Sequence, residues 1–525
     1  MAAPVGGNST DPAPSPTVSD PERIHRAKLQ WMRQGHLGSL PSNVDWIEQL
    51  EAGERARYDS VIRRKPSRTL SGVAIVAVMT APARCPHGRC TYCPGGVDNN
   101  SPQSYTGEEP SALRGAQFQF DSRVITEHRI QTLEAIGHPT SKVEVIVMGG
   151  TFPARPRSYQ STVFQGVFDG LNGARASSLL EAQQSNETAR HRCVSLTVET
   201  RPDWCDGRIL PFLLDAGVTR VEIGVECLQP DVLAAVNRAH GVHDVAIATR
   251  EARDRGLKVC YHLMLGLPGM DPGKDRADFD RLFQDSDFRP DMIKIYPTLV
   301  LPGTPLFEDW KAGRYTPYDL ETAASVLADV KRSLPPWVRI QRIQRDIPAR
   351  LIAAGVRTSN IRQVALRLLA QRGEHCRCLR CREVGRGASP PADSFALTET
   401  WYAASEGREL FLAWEEPVSD TIAGFLRLRF PSDKTDGGLT APVVRELKVL
   451  GAEVAVGADA GGPTEYQHRG FGRLLMERAI EHSRTQGFDR IHVLSAVGTR
   501  PYYRKLGFGA DGPHMTKPLF AERNS

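Results

Sequence analysis

Three cysteines in the stretch ARCPHGRCTYCPGG, Cys85, Cys90 and Cys93, have the residue type and spacing to hold a metal. A closed structural zinc site takes four ligands, and no local fourth cysteine is present. Three thiolates are what a [4Fe–4S] cluster needs when one iron is left open for a substrate or cofactor. Gly95 and Gly96 let the backbone wrap close to such a cluster. The competing arrangement is a zinc knuckle that borrows a further ligand such as His87. A second cluster, HCRCLRCRE, sets Cys376, Cys378 and Cys381 beside His375 among arginines. Thiolates packed this tightly are acidic and easily oxidised unless a metal caps them. Zinc is therefore expected there, with His375 or a distant residue as fourth ligand. The other cysteines, Cys193, Cys205, Cys227 and Cys260, fall in or beside apolar runs and read as core thiols. A third candidate is QHRGFG, Gln467 to Gly472, which opens the helical pattern RLLMERAIEHS. Its glycines permit a tight turn, and N–H groups at a helix N-terminus cradle a pyrophosphate.

The elements that must position these groups are legible as periodicity. Six apolar, β-branched runs recur: GVAIVAVM (72–79), VEVIVMGG (143–150), VSLTVET (194–200), RVEIGVE (220–226), KVCYHLML (258–265) and MIKIYPTL (292–299). Helical spacing fills the gaps, as in ITEHRIQTLEAIG. Strands apolar throughout and alternating with helices predict a parallel sheet covered by helices, and six units predict an open (β/α)6 barrel. The first cysteine loop follows the first of these strands, at the end where such barrels do their chemistry. After SPPADS (389–394), a linker by composition, the pattern changes to antiparallel-looking strands, a helix and a further strand, an α+β domain.

At 525 residues the chain is too long for one core, so several domains are expected. There is no secretory signal pattern and no long apolar run, and the cysteines cluster like metal ligands, which together predict a reducing cytosol. The net charge is only +5. Between Lys331 and Arg382, however, thirteen basic residues face two acidic ones, and Arg63, Arg64, Lys65 and Arg68 form a second knot. Such density favours a polyanion, with nucleic acid the natural candidate. The expected division is a disordered tail over 1–20, a basic helical arm over 21–70, a barrel over 71–345, a basic zinc-binding linker segment over 346–392 and a coenzyme A domain over 393–525.

The three-cysteine loop resembles that of the radical S-adenosylmethionine (SAM) superfamily, with one residue more in the first gap than the usual C-x3-C-x2-C. Together with RRKPSRTLSGVAIVAVM, SYTGEEPSALR, VEVIVMGGTFPA, TVETRPDWC, FRPDMIKIYPTLVLPGTPLFEDW, QRIQRDIP and CREVG, it resembles the catalytic subunit of Elongator in its bacterial form, a family of tRNA uridine-modifying enzymes. QHRGFG likewise resembles the Q-x-x-G-x-G loop of GCN5-related acetyltransferases (GNAT), placed between VVRELKVLG and RIHVLSAVGTRPYYRKLGF. The resemblance implies that the open iron binds SAM, whose cleavage yields a 5′-deoxyadenosyl radical. It implies that Gly149, Gly150 and Thr151 hold the methionine part, with Glu199 and Arg201 reaching the ribose or carboxylate; the alternative for Glu199 is a barrel-mouth salt bridge. It further implies that Glu446, Leu447, Lys448 and Val449 run beside the pantetheine arm, that Gln467, Arg469, Gly470, Phe471, Gly472 and Arg473 form the pyrophosphate loop, that Tyr503 lies near the thioester with Tyr502 as packing, and that Lys142 handles acetyl-CoA from the radical domain. Glu226 stands where the family often has Gln, so no role transfers to it.

The implied activity is formation of 5-carboxymethyluridine at the tRNA wobble position: a hydrogen is abstracted from the acetyl methyl of acetyl-CoA and the carbon radical adds to uridine C5. The base must be splayed out of the anticodon loop, as single-stranded RNA usually is when read. The alternatives are a protein lysine acetyltransferase, which leaves the cysteine loop without use, and a non-catalytic tRNA-binding module. The electron donor and any further subunits stay open.

Overall fold

Each of the six apolar runs becomes a strand, and a seventh joins them. The computed structural model describes residues 20–33, 69–433, 437–451 and 465–520. Strands β1 (Val73–Met79), β2 (Lys142–Met148), β3 (Arg192–Thr200), β4 (Arg220–Glu226), β5 (Lys258–Leu265), β6 (Met292–Pro297) and β7 (Arg339–Ile343) pair in chain order, all parallel. The expected sixfold count is thus corrected to seven. β7 is the run RIQRI, whose arginines read as part of the basic segment; in place, Ile340 is fully buried and Arg339 pairs with Glu383 at 3.0 Å.

Alternation divides each strand between two faces. In β2, Val143, Val145 and Val147 are fully buried on the outer side, while Lys142, Glu144, Ile146 and Met148 keep partial exposure. Glu144 reaches across to Arg220 of β4 at 2.6 Å, which marks its face as the lumen. Helices such as Arg157–Asn172 and Leu320–Ser333 contribute the buried Phe164, Phe168, Val326 and Leu327 to the core.

The second sheet runs β13-β14-β12-β11-β10-β9-β8, from β8 (Ala396–Ala404), β9 (Gly407–Glu416), β10 (Thr421–Phe430), β11 (Val443–Val449), β12 (Arg490–Val493), β13 (Gly509–Asp511) and β14 (His514–Pro518). Every pairing is antiparallel except β11 with β12, which are joined in parallel only at Val443↔His492 and Val444↔Val493. Beyond that point β11 stays on β10 alone and β12 diverges. Among the described residues, one backbone edge of Arg445–Val449 is therefore left without a strand partner. The helix Phe471–Thr485 buries Leu475, Met476 and Ala479 against Leu410, Leu412, Leu426 and Leu428.

Contacts divide the chain into two compact units. One comprises Met1–Arg68 with Gln131–His138, and the other Thr69–Ile130 with Pro139–Ser525. In the first, Asp20–Arg33 is a helix; most of the tail over 1–20, the rest of the arm over 34–68 and with it the knot Arg63 to Arg68 lie outside the described residues. Both sheets belong to the second unit. Ionic groups join them there: Arg445 on β11 forks onto Asp291, at the foot of β6, with both contacts at 2.6 Å, and also reaches Glu409 at 2.8 Å. Arg429 on β10 holds Asp254 at 2.6 Å. All five of these side chains are fully buried. Burial opposes ionisation of Asp291, but Arg445, Arg253 and Arg427 together hold its carboxyl well below the usual range.

The expected linker is part of the same seal. Leu379 N–H donates to Val338 at 2.9 Å, Val384 N–H to Ile422 at 3.1 Å, and Arg382 pairs with Glu415 at 2.7 Å. Removing one member of a buried charge network strands its partners. Asp291→Ala is accordingly expected to cost about 3–5 kcal/mol in denaturant unfolding, a loss that a surface aspartate such as Asp287 does not reproduce.

Candidate active site

The loop after β1 is folded so that polar donors converge on its three sulfurs. Thr151 Oγ1 lies 3.4 Å from Cys85 Sγ, His87 Nε2 3.2 Å and Arg238 Nη1 3.5 Å from Cys90 Sγ, and Ser104 N–H 3.3 Å from Cys93 Sγ. Hydroxyl, amide and guanidinium donors suit thiolates and the sulfides of a cluster. Among the described residues, these three sulfurs are not grouped within 4.8 Å of one another, as those of the second cysteine cluster are. His87 touches a sulfur as a hydrogen-bonding neighbour; burial, then the charges of Arg201 and Arg238, push its pKa down to about 4. Gly95 is required because a Cβ there would run into the carbonyl oxygens of Tyr105 and Pro102.

Behind the loop stand the groups expected to face SAM. Gly149, with φ of 135°, adopts a conformation closed to other residues, and its N–H donates to Glu199 at 3.2 Å. Glu199 also accepts from the Tyr105 hydroxyl at 3.0 Å, and burial together with that carboxylate keeps the phenol protonated. Glu199 is thus tied to two loops rather than to a mouth salt bridge. Gly150 lies against Cys85 and Gln103. Arg201 pairs with Asp203 at 2.9 Å, yet its Nη1 is buried without a partner, a donor suited to a carboxylate. Arg238, missed in the sequence, is 7% exposed and pairs with Glu226 at 3.5 Å. This accounts for Glu226: it balances the arginine that touches Cys90. A lone arginine in NRAH carries no signal of that role.

At the other end of the barrel, β11 crosses the foot of the lumen. Val443 meets the foot of β5 at Gly256, Arg445 takes Asp291 and the Leu257 carbonyl, and the Lys448 charge acts on Glu144 of β2. Glu446 pairs with Arg427 at 2.9 Å, and Leu447 packs against the domain core. Lys142 starts β2 in register with Val73 and Arg192, on this same foot. The loop Gln467–Gly472 offers backbone rather than side chains: Gln467 donates to the Ser71 carbonyl at 3.3 Å, Arg469 to Glu465 at 2.6 Å, Phe471 stacks on Trp414 at 4.9 Å, and Arg473 pairs with Glu477 at 2.7 Å. Gly470, at φ 82°, caps the helix with no side chain occupying its N–H groups.

The two adjacent tyrosines differ in their surroundings. Tyr503 is 7% exposed in the domain core, with burial raising its pKa. Tyr502, expected as packing, is 40% exposed, and its hydroxyl faces the space above Gly472, where Val449 and Leu447 also point. Consecutive helical positions diverge by about 100°, so the pair cannot both face the loop.

Cys376, Cys378 and Cys381 bring their sulfurs within 4.8 Å of one another. Hydrogen bonds from Cys376 and Cys381 hold the Cys378 thiol well below its ordinary pKa. The donor set suits one soft metal ion, but His375 is no part of it: its side chain is 74% exposed and turned to Asp420 at 3.8 Å. Lys331 instead sets Nζ 3.2 Å from Cys376 Sγ. Much of the basic segment is likewise spent internally, with Arg372 on Asp329 at 2.7 Å and Arg377 on Asp420 at 3.0 Å.

Family models match this layout: residues 80–282 fit the Radical SAM superfamily, 290–370 the Radical_SAM C-terminal domain and 378–508 the Acetyltransferase (GNAT) family. The tRNA uridine(34) acetyltransferase of Methanocaldococcus jannaschii is 44% identical over 512 residues, covering 95% of this chain and 94% of that protein. Elongator complex protein 3 of Homo sapiens is 40% identical over 515 residues, covering 94% and 93%. The chain belongs to the Elongator protein 3 family. A solved Elongator protein 3 from Methanocaldococcus infernus, lacking residues 1–46, superposes with a TM-score of 0.76 at 41% identity, covering 86% of this chain and all of that one. For this Elongator protein 3 homologue, the radical SAM domain implies a [4Fe–4S] cluster and SAM, and the GNAT domain implies acetyl-CoA. No helix among the described residues is long and apolar enough to cross a membrane. Cys90→Ala should abolish the visible charge-transfer absorption of the anaerobically reconstituted protein while leaving coenzyme A binding, read by calorimetry, intact.

Proposed function

We propose that the protein modifies the wobble uridine of tRNA, forming a carboxymethyl group at C5 from the acetyl group of acetyl-CoA. The observation that carries this reading is β11 lying across the foot of the barrel whose other end holds the three-cysteine loop. An acetyltransferase acting on lysine needs no such neighbour. The relatives in Methanocaldococcus jannaschii and Dehalococcoides mccartyi, tRNA uridine(34) acetyltransferases by name, support the substrate.

Cys85, Cys90 and Cys93 would hold the cluster, which when bound supplies the one-electron cleavage of SAM that yields a hydrogen-abstracting radical. Gly149, Gly150 and Thr151 shape the floor beside it. Arg201 Nη1 takes a carboxylate, and Glu199, fixed by Gly149 and Tyr105, accepts hydroxyl hydrogens. The open edge of Glu446–Val449 pairs with amide groups of the pantetheine arm, and the N–H groups after Gly470 take the pyrophosphate. Lys142 lies at the foot toward which the thioester points. Tyr502 or Tyr503 supplies the hydroxyl beside the thioester sulfur; a larger loss of acetyl-CoA hydrolysis in Tyr502→Phe than in Tyr503→Phe selects the former.

Zinc on Cys376, Cys378 and Cys381 would keep the segment around them folded against the domain junction. The anticodon stem-loop is held by arginines not spent in buried pairs, including the exposed Arg357 and Arg367. Removing a side chain that neutralises one phosphate makes binding less sensitive to salt, so Arg367→Ala should reduce the slope of log K against log salt by about 1.

The test is nucleoside mass spectrometry after anaerobic incubation with reductant, SAM, acetyl-CoA and unmodified tRNA. A carboxymethyl adduct on uridine that disappears in Cys90→Ala is expected. Acetylated lysine with unmodified uridine would overturn the reading.

A further inference from the structure

Arg238 brings a positive charge against the cysteine loop. Its Nη1 lies 3.5 Å from Cys90 Sγ and its Nη2 donates to the Gly224 carbonyl, so both ends of the guanidinium are held. Arginine and cysteine are both buried. The backbone of β4 is shaped to give this arginine one carboxylate. The register of β4 on β5 shifts between Gly224 and Glu226, and Glu226 takes φ of 68°, a left-handed backbone uncommon outside glycine. A bulge re-aims the side chain beside it; here Glu226 Oε1 comes to 3.5 Å from Arg238 Nη2. Gly224 makes room for the pair, since a Cβ there would stand 2.9 Å from Arg238 Nη2 and 3.2 Å from Glu226 Oε1. Backbone so strained persists where the surroundings over-determine it, and it gathers at functional sites.

The other polar groups around Arg238 do not duplicate this pair. Burial, then the charges of Arg238 and Arg201, push the His240 pKa down to about 2, so His240 is neutral, as His87 is. Arg201 has its own counter-ion in Asp203 at 2.9 Å. The charge felt at Cys90 from this side is thus that of Arg238 less that of Glu226.

Reducing a cluster held on Cys85, Cys90 and Cys93 adds one electron, and with it one negative charge, beside these residues. Hydrogen bonds and charges at the sulfurs are the levers by which a protein tunes such a potential, and in a buried site they are weakly screened. Arg238 favours the reduced state. Glu226 opposes it, by its own charge and by offsetting that of the arginine. We infer that Glu226 is a positioning residue that acts through Arg238 on Cys90 and sets the reduction potential of the cluster, keeping it lower than Arg238 alone would. A lower potential makes the reduced cluster a stronger one-electron reductant toward the sulfonium of SAM, and it calls for a correspondingly strong one-electron donor to load it. The inference rests on the reading that these three cysteines carry the cluster, but not on acetyl-CoA or tRNA.

The test is a redox titration, followed by electron paramagnetic resonance, of the full-length protein reconstituted anaerobically with iron and sulfide, with dithionite as reductant and without SAM, acetyl-CoA or tRNA. At the wild-type midpoint, Glu226→Gln is expected to raise the ratio of reduced to oxidised cluster about tenfold, and Arg238→Gln to lower it about tenfold. The double variant, in which both charges are gone, is expected to return close to the wild-type midpoint, a compensation that a loosened cysteine loop does not give. Should Glu226→Gln fail to take up iron, Glu226→Asn is the second variant, because asparagine accepts left-handed backbone. Unchanged midpoints in both single variants at full iron content, shifts of the same sign in both, or loss of the cluster in every variant would overturn the proposal and leave the cluster reading standing. A wild-type protein that takes up no cluster would overturn that reading and this inference together.

Discussion

Asp291 governs the relation between the two chemistries. It stands at the foot of β6, fully buried, and takes the forked guanidinium of Arg445 from β11 of the GNAT domain. Charges so placed are costly to desolvate and strongly directional once paired. The pair therefore specifies one position of β11 across the barrel foot, where a greasy interface would allow sliding. Glu409, Arg253, Arg427 and Arg429 extend the same constraint over the joint.

The divergence of β11 from β12 has a comparable consequence at smaller scale. Two strands joined only at Val443 and Val444 leave backbone groups that need partners. That edge is the one proposed above for the amide-rich arm of coenzyme A. A bulge in β11 accompanies this: Arg427 pairs with Glu446 and Leu428 with Val444, so Arg445 is the extra residue, and Arg427 faces Glu446.

Much of this was legible in the residues. The cysteine spacing, the Q-x-x-G-x-G loop and six of seven barrel strands carry local signals, because metal ligation, anion cradling and buried parallel strands each impose composition over a short window. What escaped depends on long-range pairing. β7 is hidden because Arg339 is neutralised by Glu383, which no window around residue 340 contains. His375 looks like a ligand by adjacency, yet the chain turns it to Asp420. Arg238 and Lys331 gain their places beside sulfur only through the fold. The Tyr502 and Tyr503 assignments turn on the rotation of one short helix, which spacing does not define. The dense basic segment read as an open polyanion surface, whereas several of its arginines are internal counter-ions.

The central claim is that one molecule brings an acetyl methyl from β11 to a radical formed at the cysteine loop. The most direct measurement is anaerobic turnover with acetyl-CoA deuterated at its methyl group, SAM and unmodified tRNA, followed by mass analysis of the 5′-deoxyadenosine released. Deuterium in the recovered 5′-deoxyadenosine is the result the account requires. Release of 5′-deoxyadenosine without deuterium, alongside modified uridine, would contradict it.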